Sequence, residues 1–152
     1  MTKTLLIFFI TVFVSGCSYE PIMTAKNYDF KLKKIESETN SEINKIIKNN
    51  LLKKSNDISE REYEIYFSSS KEKETVSTNE KGDPTIFRIR IFVKYSLISK
   101  NKQLFTNSLD RQVTYNNIDD KFELLKYEEN IMQNLLENIS SEILMSITNT
   151  FK

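Results

Sequence analysis

The chain has 152 residues, and its 22 lysine and arginine residues nearly balance its 21 aspartate and glutamate residues. This length suits one domain with a single core, and the charge balance argues against nucleic acid as a partner. There is no histidine, one cysteine and only two glycines. This composition excludes histidine catalysis, cysteine-based zinc sites and glycine-rich phosphate loops, so we expect no enzyme, no catalytic residue, no metal site and no cofactor.

The N-terminus combines a positive charge, a short apolar stretch and a cysteine. Lys3 precedes the apolar segment Thr4–Val14, which is too short to cross a bilayer but typical of a secretory signal. The segment Val14-Ser15-Gly16-Cys17 resembles a bacterial lipobox. We predict that residues 1–16 are a signal peptide of the lipoprotein type and that Cys17 carries acyl chains, palmitate among them, that anchor the protein. The alternative is an ordinary signal peptide with a coincidental cysteine.

Residues 17–26 are predicted to form a short extended tether, and residues 27–152 a single domain. Tyr28, Phe30 and Leu32 alternate with polar residues, which predicts a first half-buried strand. Ile35 breaks that alternation, as a bulge or the end of the strand would.

A helix is predicted from about Asn40 to Lys54, capped by Thr39, Asn40 or Ser41. Apolar residues at helical spacing form its inner face: Ile43, Ile46, Ile47 and Leu51. Its outer face carries lysines: Lys45, Lys48 and Lys53.

Three strands should follow this helix. Tyr63, Ile65 and Phe67 give the second strand its inner face, and the charged residues 71–74 extend it as an exposed arm. A turn over residues 79–84 contains Gly82, which adopts positive φ easily. The third strand, residues 85–98, alternates strictly over six inner positions: Phe87, Ile89, Ile91, Val93, Tyr95 and Leu97.

A hairpin at residues 99–102 leads into the fourth strand, residues 103–115. Arg111 shares the parity of its inner residues. We expect Arg111 to lie at the sheet margin with its guanidinium in water, or to pair with a carboxylate of the last helix.

The last helix is predicted to begin at Asp120 as its cap, with Glu123 completing a capping box. An apolar stripe continues along about 30 residues: Phe122, Leu125, Met132, Leu135, Leu136, Ile139, Ile143 and Ile147. The elements together predict an α+β fold of order β-α-β-β-β-α, with two helices packed on one face of a four-stranded sheet.

The tether and the element order resemble the lipopolysaccharide-assembly lipoprotein family LptE, in particular its alphaproteobacterial branch. The residues that carry the resemblance are Cys17-Ser18-Tyr19-Glu20-Pro21-Ile22, where the family often has cysteine, a small residue, an aromatic, any residue, proline and an aliphatic. The chain departs from the pattern at Ser18, where glycine is usual, and at Met23, where an aromatic is common.

The resemblance implies a lipoprotein held by acylated Cys17 on the periplasmic side of the Gram-negative outer membrane. It implies that the partners are the LptD barrel, which the protein plugs and helps assemble, and lipopolysaccharide on its way to the cell surface. Ser18 agrees with this destination, since retention in the inner membrane mainly requires aspartate after the cysteine. Two alternatives are an accessory lipoprotein of a lipid-transport ABC system and an activator of a peptidoglycan synthase.

The outward face of the third strand is the candidate contact surface for lipopolysaccharide or the barrel. It presents Arg88, Arg90, Phe92 and Lys94. Guanidinium groups can grip phosphates with two hydrogen bonds, a lysine adds a point charge, and an exposed aromatic often marks a contact. The alternative is an ordinary solvated sheet face with alternating charge.

Overall fold

The computed structural model describes residues 28–56 and 58–150, so the predicted signal peptide, Cys17 and the predicted tether lie outside the described residues. The described elements are β1 (Lys31–Ser37), α1 (Glu42–Lys54), β2 (Glu62–Thr78), β3 (Pro84–Ser99), β4 (Lys102–Asn116) and α2 (Lys121–Thr150). This confirms the predicted order and the α+β class. Within those residues, neither helix is long and apolar enough to cross a membrane.

The four strands form one mixed sheet in the order β1-β2-β3-β4. β1 runs parallel to β2, with α1 as the crossover between them, whereas the other neighbouring strands are antiparallel. The register of β1 against β2 shifts between Leu32 and Lys34, so Leu32 and Ile35 are both buried although they lie three positions apart. The predicted break in alternation at Ile35 is therefore a bulge.

Both connections between antiparallel strands use backbone conformations with positive φ. Between β2 and β3, Gly82 has φ +85°, and the side-chain oxygen of Asn79 accepts a 2.9 Å hydrogen bond from the backbone N–H of Asp83. Between β3 and β4, Lys100 and Asn101 have φ 48° and 61°, which is the pattern of a two-residue type I′ hairpin. The predicted turn and hairpin are both confirmed.

The two helices cover different lengths of the same sheet face. β1 pairs with β2 only as far as Phe67. Near the start of α1, the Asn44 side chain accepts a 2.6 Å hydrogen bond from the Ser69 hydroxyl. Residues 70–78 of β2 pair with β3 alone. We call this part of the sheet the distal half; it consists of residues 70–78 of β2, 84–92 of β3 and 110–116 of β4. α2, at about 1.5 Å per residue, is about 45 Å long and reaches over both halves.

The core lies between the sheet and the helices. Apolar residues with no more than 1% exposure come from α1, β2, β3 and α2: Ile47, Leu51, Ile65, Ile89, Ile91, Val93, Tyr95, Leu97, Leu136, Ile139, Ile143, Leu144 and Ile147. Burial of each large side chain contributes about 1.5–3 kcal/mol. The helices meet beside this core, where the Lys54 ammonium donates a 2.9 Å hydrogen bond to the Ser141 hydroxyl.

The predicted apolar stripe of α2 is wrong at its first turns. Phe122 and Leu125 were expected in the core, but they are 77% and 60% exposed. Leu124 and Ile131 are buried in their place.

The position of α1 explains this difference. Leu125 precedes Ile143 by 18 residues, and Phe122 precedes Ser140 by the same number, which is about five helical turns. Each pair therefore lies on one side of α2. Ile143 and Ser140 are fully buried because α1 lies beside that part of α2, whereas α1 does not extend to the first turns.

A polar cluster fastens α2 to the distal half of the sheet. One carboxylate oxygen of Glu128 accepts hydrogen bonds from the Lys73 ammonium at 2.6 Å and from the Tyr115 hydroxyl at 2.8 Å. The ammonium also lies 4.6 Å from the centroid of the Phe87 ring. Burial, together with the hydrogen bond to Glu128, raises the pKa of Tyr115 above its usual value.

Arg111 makes a second connection between β4 and α2. Its guanidinium donates two hydrogen bonds to the carboxylate of Glu142. Of the two expectations for this inward-pointing arginine, pairing with a carboxylate of the last helix is confirmed.

The burial pattern of α2 predicts opposite results for two alanine substitutions. In the mature chain carrying Cys17→Ser, Ile139→Ala should lower the free energy of unfolding by about 2–5 kcal/mol, because it leaves a cavity in the core. Phe122→Ala should change it by less than about 0.5 kcal/mol, as for an ordinary surface position. Urea denaturation followed by circular dichroism measures both, and equal losses would contradict the structure.

The raised pKa of Tyr115 predicts a loss of stability in alkaline solution. Above about pH 10, tyrosine ionises in the unfolded chain while Tyr115 stays protonated in the folded one, so unfolding becomes more favourable as the pH rises. Tyr115→Phe should make the fall in unfolding free energy with pH shallower, as urea titrations at a series of pH values would show. Tyr127→Phe, at a tyrosine that is 45% exposed, is the control, and equal slopes in Tyr115→Phe and the unsubstituted chain would refute the prediction.

Candidate functional site

The candidate site lies on the sheet face opposite the helices, which we call the uncovered face. The strict alternation of β3 places Arg88, Arg90, Phe92 and Lys94 there, since the residues between them are buried against α2 and the rest of the core. The structure therefore brings all four predicted side chains into one row along a central strand.

Both arginines of this row are already paired with carboxylates. Arg88 donates a 2.8 Å hydrogen bond to Glu74, its direct neighbour on β2. Arg90 forms a two-pronged pair with Asp110 of β4. The hydrogen bonds from Arg90 lower the pKa of Asp110, and the same bonds raise the pKa of Arg90. A phosphate that binds either guanidinium must share it with a carboxylate or displace that carboxylate.

Phe92 and Lys94 stand in a different environment. In the strand register, Lys94 lies between Ser68 and Ser108, whose side chains are too short to cover it. Phe92 lies between Ser70 on β2 and Asp110 on β4, whose carboxylate is paired with Arg90, and is 41% exposed.

The Lys94 ammonium makes no hydrogen bond or ion pair with any side chain in the described part of the chain. The arrangement of Phe92 and Lys94 is therefore an exposed ring beside an unpaired cation, which suits a ligand that combines apolar and anionic groups.

A second cation lies at the other end of the uncovered face, and no local sequence pattern indicates it. Lys34 of β1 donates a 2.9 Å hydrogen bond to the Tyr66 hydroxyl and lies 3.0 Å from a carboxylate oxygen of Glu36. The hydrogen bond with Tyr66, followed by that with Glu36, raises the pKa of Lys34. These three residues come from two parallel strands, so only the register of β1 against β2 could have shown that they meet.

The site offers charged and apolar contacts rather than a metal centre. Within residues 28–56 and 58–150, no three carboxylates converge in a way that could hold a metal ion. The contact chemistry of the uncovered face therefore depends on Phe92, Lys94 and the paired arginines.

The fold is similar to those of solved bacterial lipoproteins. Rare lipoprotein B from Shewanella oneidensis aligns with a TM-score of 0.63 and 15% identity, over 79% of this chain and 95% of that one. Lipoprotein B from Nitrosomonas europaea aligns with a TM-score of 0.62 and 15% identity, over 81% of this chain and 87% of that one. A minor lipoprotein from Acinetobacter baumannii aligns with a TM-score of 0.58 and 12% identity, over 81% of this chain and 92% of that one.

At these identities the similarity establishes the fold alone. No protein-family model matches the sequence, and no curated protein matches it either.

Proposed function

We propose that this protein is an outer-membrane lipoprotein of the LptE type, which sits in the lumen of the LptD barrel and aids lipopolysaccharide transport to the cell surface. The observation that carries the proposal is the similarity of the fold to that of rare lipoprotein B, over 79% of this chain. The lipobox-like segment ending at Cys17 and the tether motif that follows it support the same family.

The one-sided architecture fits a protein that works against a partner. Among residues 28–56 and 58–150, helices cover one face of the sheet, and the other face presents mixed charge with an exposed aromatic ring. The pairs Arg88–Glu74 and Arg90–Asp110 are nearly neutral in sum, so the uncovered face can lie against a polar barrel wall without a large unpaired charge. Phe92 and Lys94 supply an apolar contact and a cation for a phosphorylated glycolipid.

Co-purification tests the barrel partnership. With a tag after Lys152, a gentle-detergent extract of native membranes should yield a large outer-membrane barrel in near-equal amount, identified by mass spectrometry. The Cys17→Ser chain, tagged in the same way, is the matched control and should be recovered with the barrel in smaller amount, since it lacks the anchor that brings it to the membrane. Recovery of an inner-membrane transporter or of a peptidoglycan synthase, or fractionation with the inner membrane, would count against the proposal.

Lipopolysaccharide binding tests the uncovered face. The combined change Phe92→Ser and Lys94→Ser should weaken binding by about tenfold or more, because it removes the unpaired cation and the ring beside it. Ser at Arg88, Arg90 and Lys94 together should also weaken binding. Asp110→Asn should strengthen it, since this change leaves the Arg90 guanidinium without its carboxylate.

The matched control for these variants is Leu125→Ser with Lys126→Ser, which removes an exposed apolar side chain and a lysine from α2, on the other side of the sheet. Affinity can be measured with immobilised lipopolysaccharide. Unchanged affinity in all of the uncovered-face variants would show that this is an ordinary solvated face.

A further inference from the structure

The edge of β2 in the distal half has no neighbouring strand within residues 28–56 and 58–150. β1 pairs with β2 only as far as Phe67, and the backbone N–H of Glu38 donates a 3.0 Å hydrogen bond to the Phe67 carbonyl. Beyond this point, no described residue forms a backbone hydrogen bond with β2 on the side away from β3. We call this part of β2 the open edge.

The alternation of the strand shows which backbone groups lie on the open edge. Because the Phe67 carbonyl points toward β1, the backbone groups of every second residue after Phe67 point the same way. The N–H and C=O groups of Lys71, Lys73 and Thr75 therefore lie on the open edge. A strand placed beside them can pair with these groups, as β1 pairs with the first part of β2.

Opposite charges lie on the two sides of the open edge. Lys71 and Lys73 share the parity of the buried β2 residues and point to the face that the helices cover, whereas Glu72 and Glu74 point to the uncovered face. Lys73 and Glu74 already have partners within the domain, but Lys71 and Glu72 form no ion pair with a described residue. A complementary strand therefore has carboxylates on the covered side and cations on the other.

This charge pattern disfavours a second copy of the same edge as the neighbour. In an antiparallel pair of identical edges, with both covered faces on one side, residues of the same face lie opposite each other. Lysine would then meet lysine, and glutamate would meet glutamate. Alternating charge thus protects an edge against its own copies, but it does not repel a strand of complementary charge and different sequence.

Two exposed apolar side chains stand beside the open edge. Phe122 and Leu125 are 77% and 60% exposed and lie on the side of α2 that faces α1 farther along the helix. Since α1 packs against β1 and β2, this side of α2 faces the open edge in the distal half. The ion pair between Lys73 and Glu128 places this part of α2 over β2. An apolar residue of an added strand would therefore be covered by these two side chains.

We propose that the open edge binds an extended segment of the barrel partner as an added strand. Carboxylates of this segment lie beside Lys71 and Lys73, and its cations lie beside Glu72 and Glu74. Backbone hydrogen bonds supply the affinity, and the charge pattern selects the segment. The identity of the partner rests on the proposed function. Because the strands of a closed barrel are already paired on both sides, the segment comes from a loop or terminus that reaches into the lumen.

A synthetic peptide tests the open edge without the barrel. Val-Lys-Glu-Lys-Glu-Lys-Val, with both termini blocked, alternates the two charges and has the same side-chain order in either direction. The control peptide, Val-Lys-Lys-Lys-Glu-Glu-Val, has the same composition without the alternation. The alternating peptide should bind the full mature chain carrying Cys17→Ser about tenfold more tightly than the control peptide, through several cross-strand ion pairs. Equal affinities in isothermal titration calorimetry would overturn the proposal.

Amide hydrogen exchange locates the bound peptide. The amides of Lys71 and Lys73 lie on the open edge, so saturating peptide should slow their exchange by about tenfold or more. The amides of Glu72 and Glu74 point toward β3, with which β2 is already paired, and should change little. Binding without protection of Lys71 and Lys73 would refute an added strand.

A substitution at Lys71 tests the charge pattern. Lys71→Glu places a like charge beside a peptide carboxylate, so it should weaken binding of the alternating peptide by about tenfold. Lys81→Glu makes the same change of net charge at an exposed residue in the turn after β2 and should leave the affinity unchanged. Circular dichroism verifies that both variants are folded, and equal losses in the two would attribute binding to net charge alone and overturn the proposal.

In native membranes, a photo-crosslinking residue in place of Lys71 identifies the partner segment. Its crosslinks should map by mass spectrometry to one loop or terminal segment of the barrel protein in which charge alternates. Crosslinks to the barrel strands or to a second copy of this chain would overturn the proposal, as would their absence from a complex that contains the barrel. If no barrel co-purifies, the proposed function and this partner both fail, whereas peptide binding still decides whether the open edge accepts a strand.

Discussion

The packing of β3 against α2 is the constraint on which the rest of this structure depends. Ile89, Ile91 and Val93 are wholly buried, and strict alternation then forces every residue between them to the opposite face. Two helices are enough to cover one face of a four-stranded sheet, and α1 covers only part of that face. Because the described chain has two helices, one face of the sheet stays uncovered. The first turns of α2 and the outer surface of α1 stay exposed for the same reason.

Features that depend on neighbours in the sequence were predictable. The alternation of β3, the turn around Gly82, a cap for α1 within residues 39–41, which is Ser41 in the structure, and the break in alternation at Ile35 each leave a local pattern. The exposure of Phe122 and Leu125 left none, because their spacing to the buried residues of α2 is that of a continuous stripe. Whether they are covered depends on where α1 begins. That is a property of the tertiary structure, and no segment of the α2 sequence shows it.

The candidate site was also predictable only in part: its residues could be predicted, but their partners on neighbouring strands could not. Alternation alone places Arg88, Arg90, Phe92 and Lys94 in one row, but it cannot show what faces them across the strands. Glu74 and Asp110 became neighbours of the arginines only through the registers of β2 and β4. The distinction that matters for binding, between paired arginines and an unpaired lysine, therefore required the sheet to be assembled.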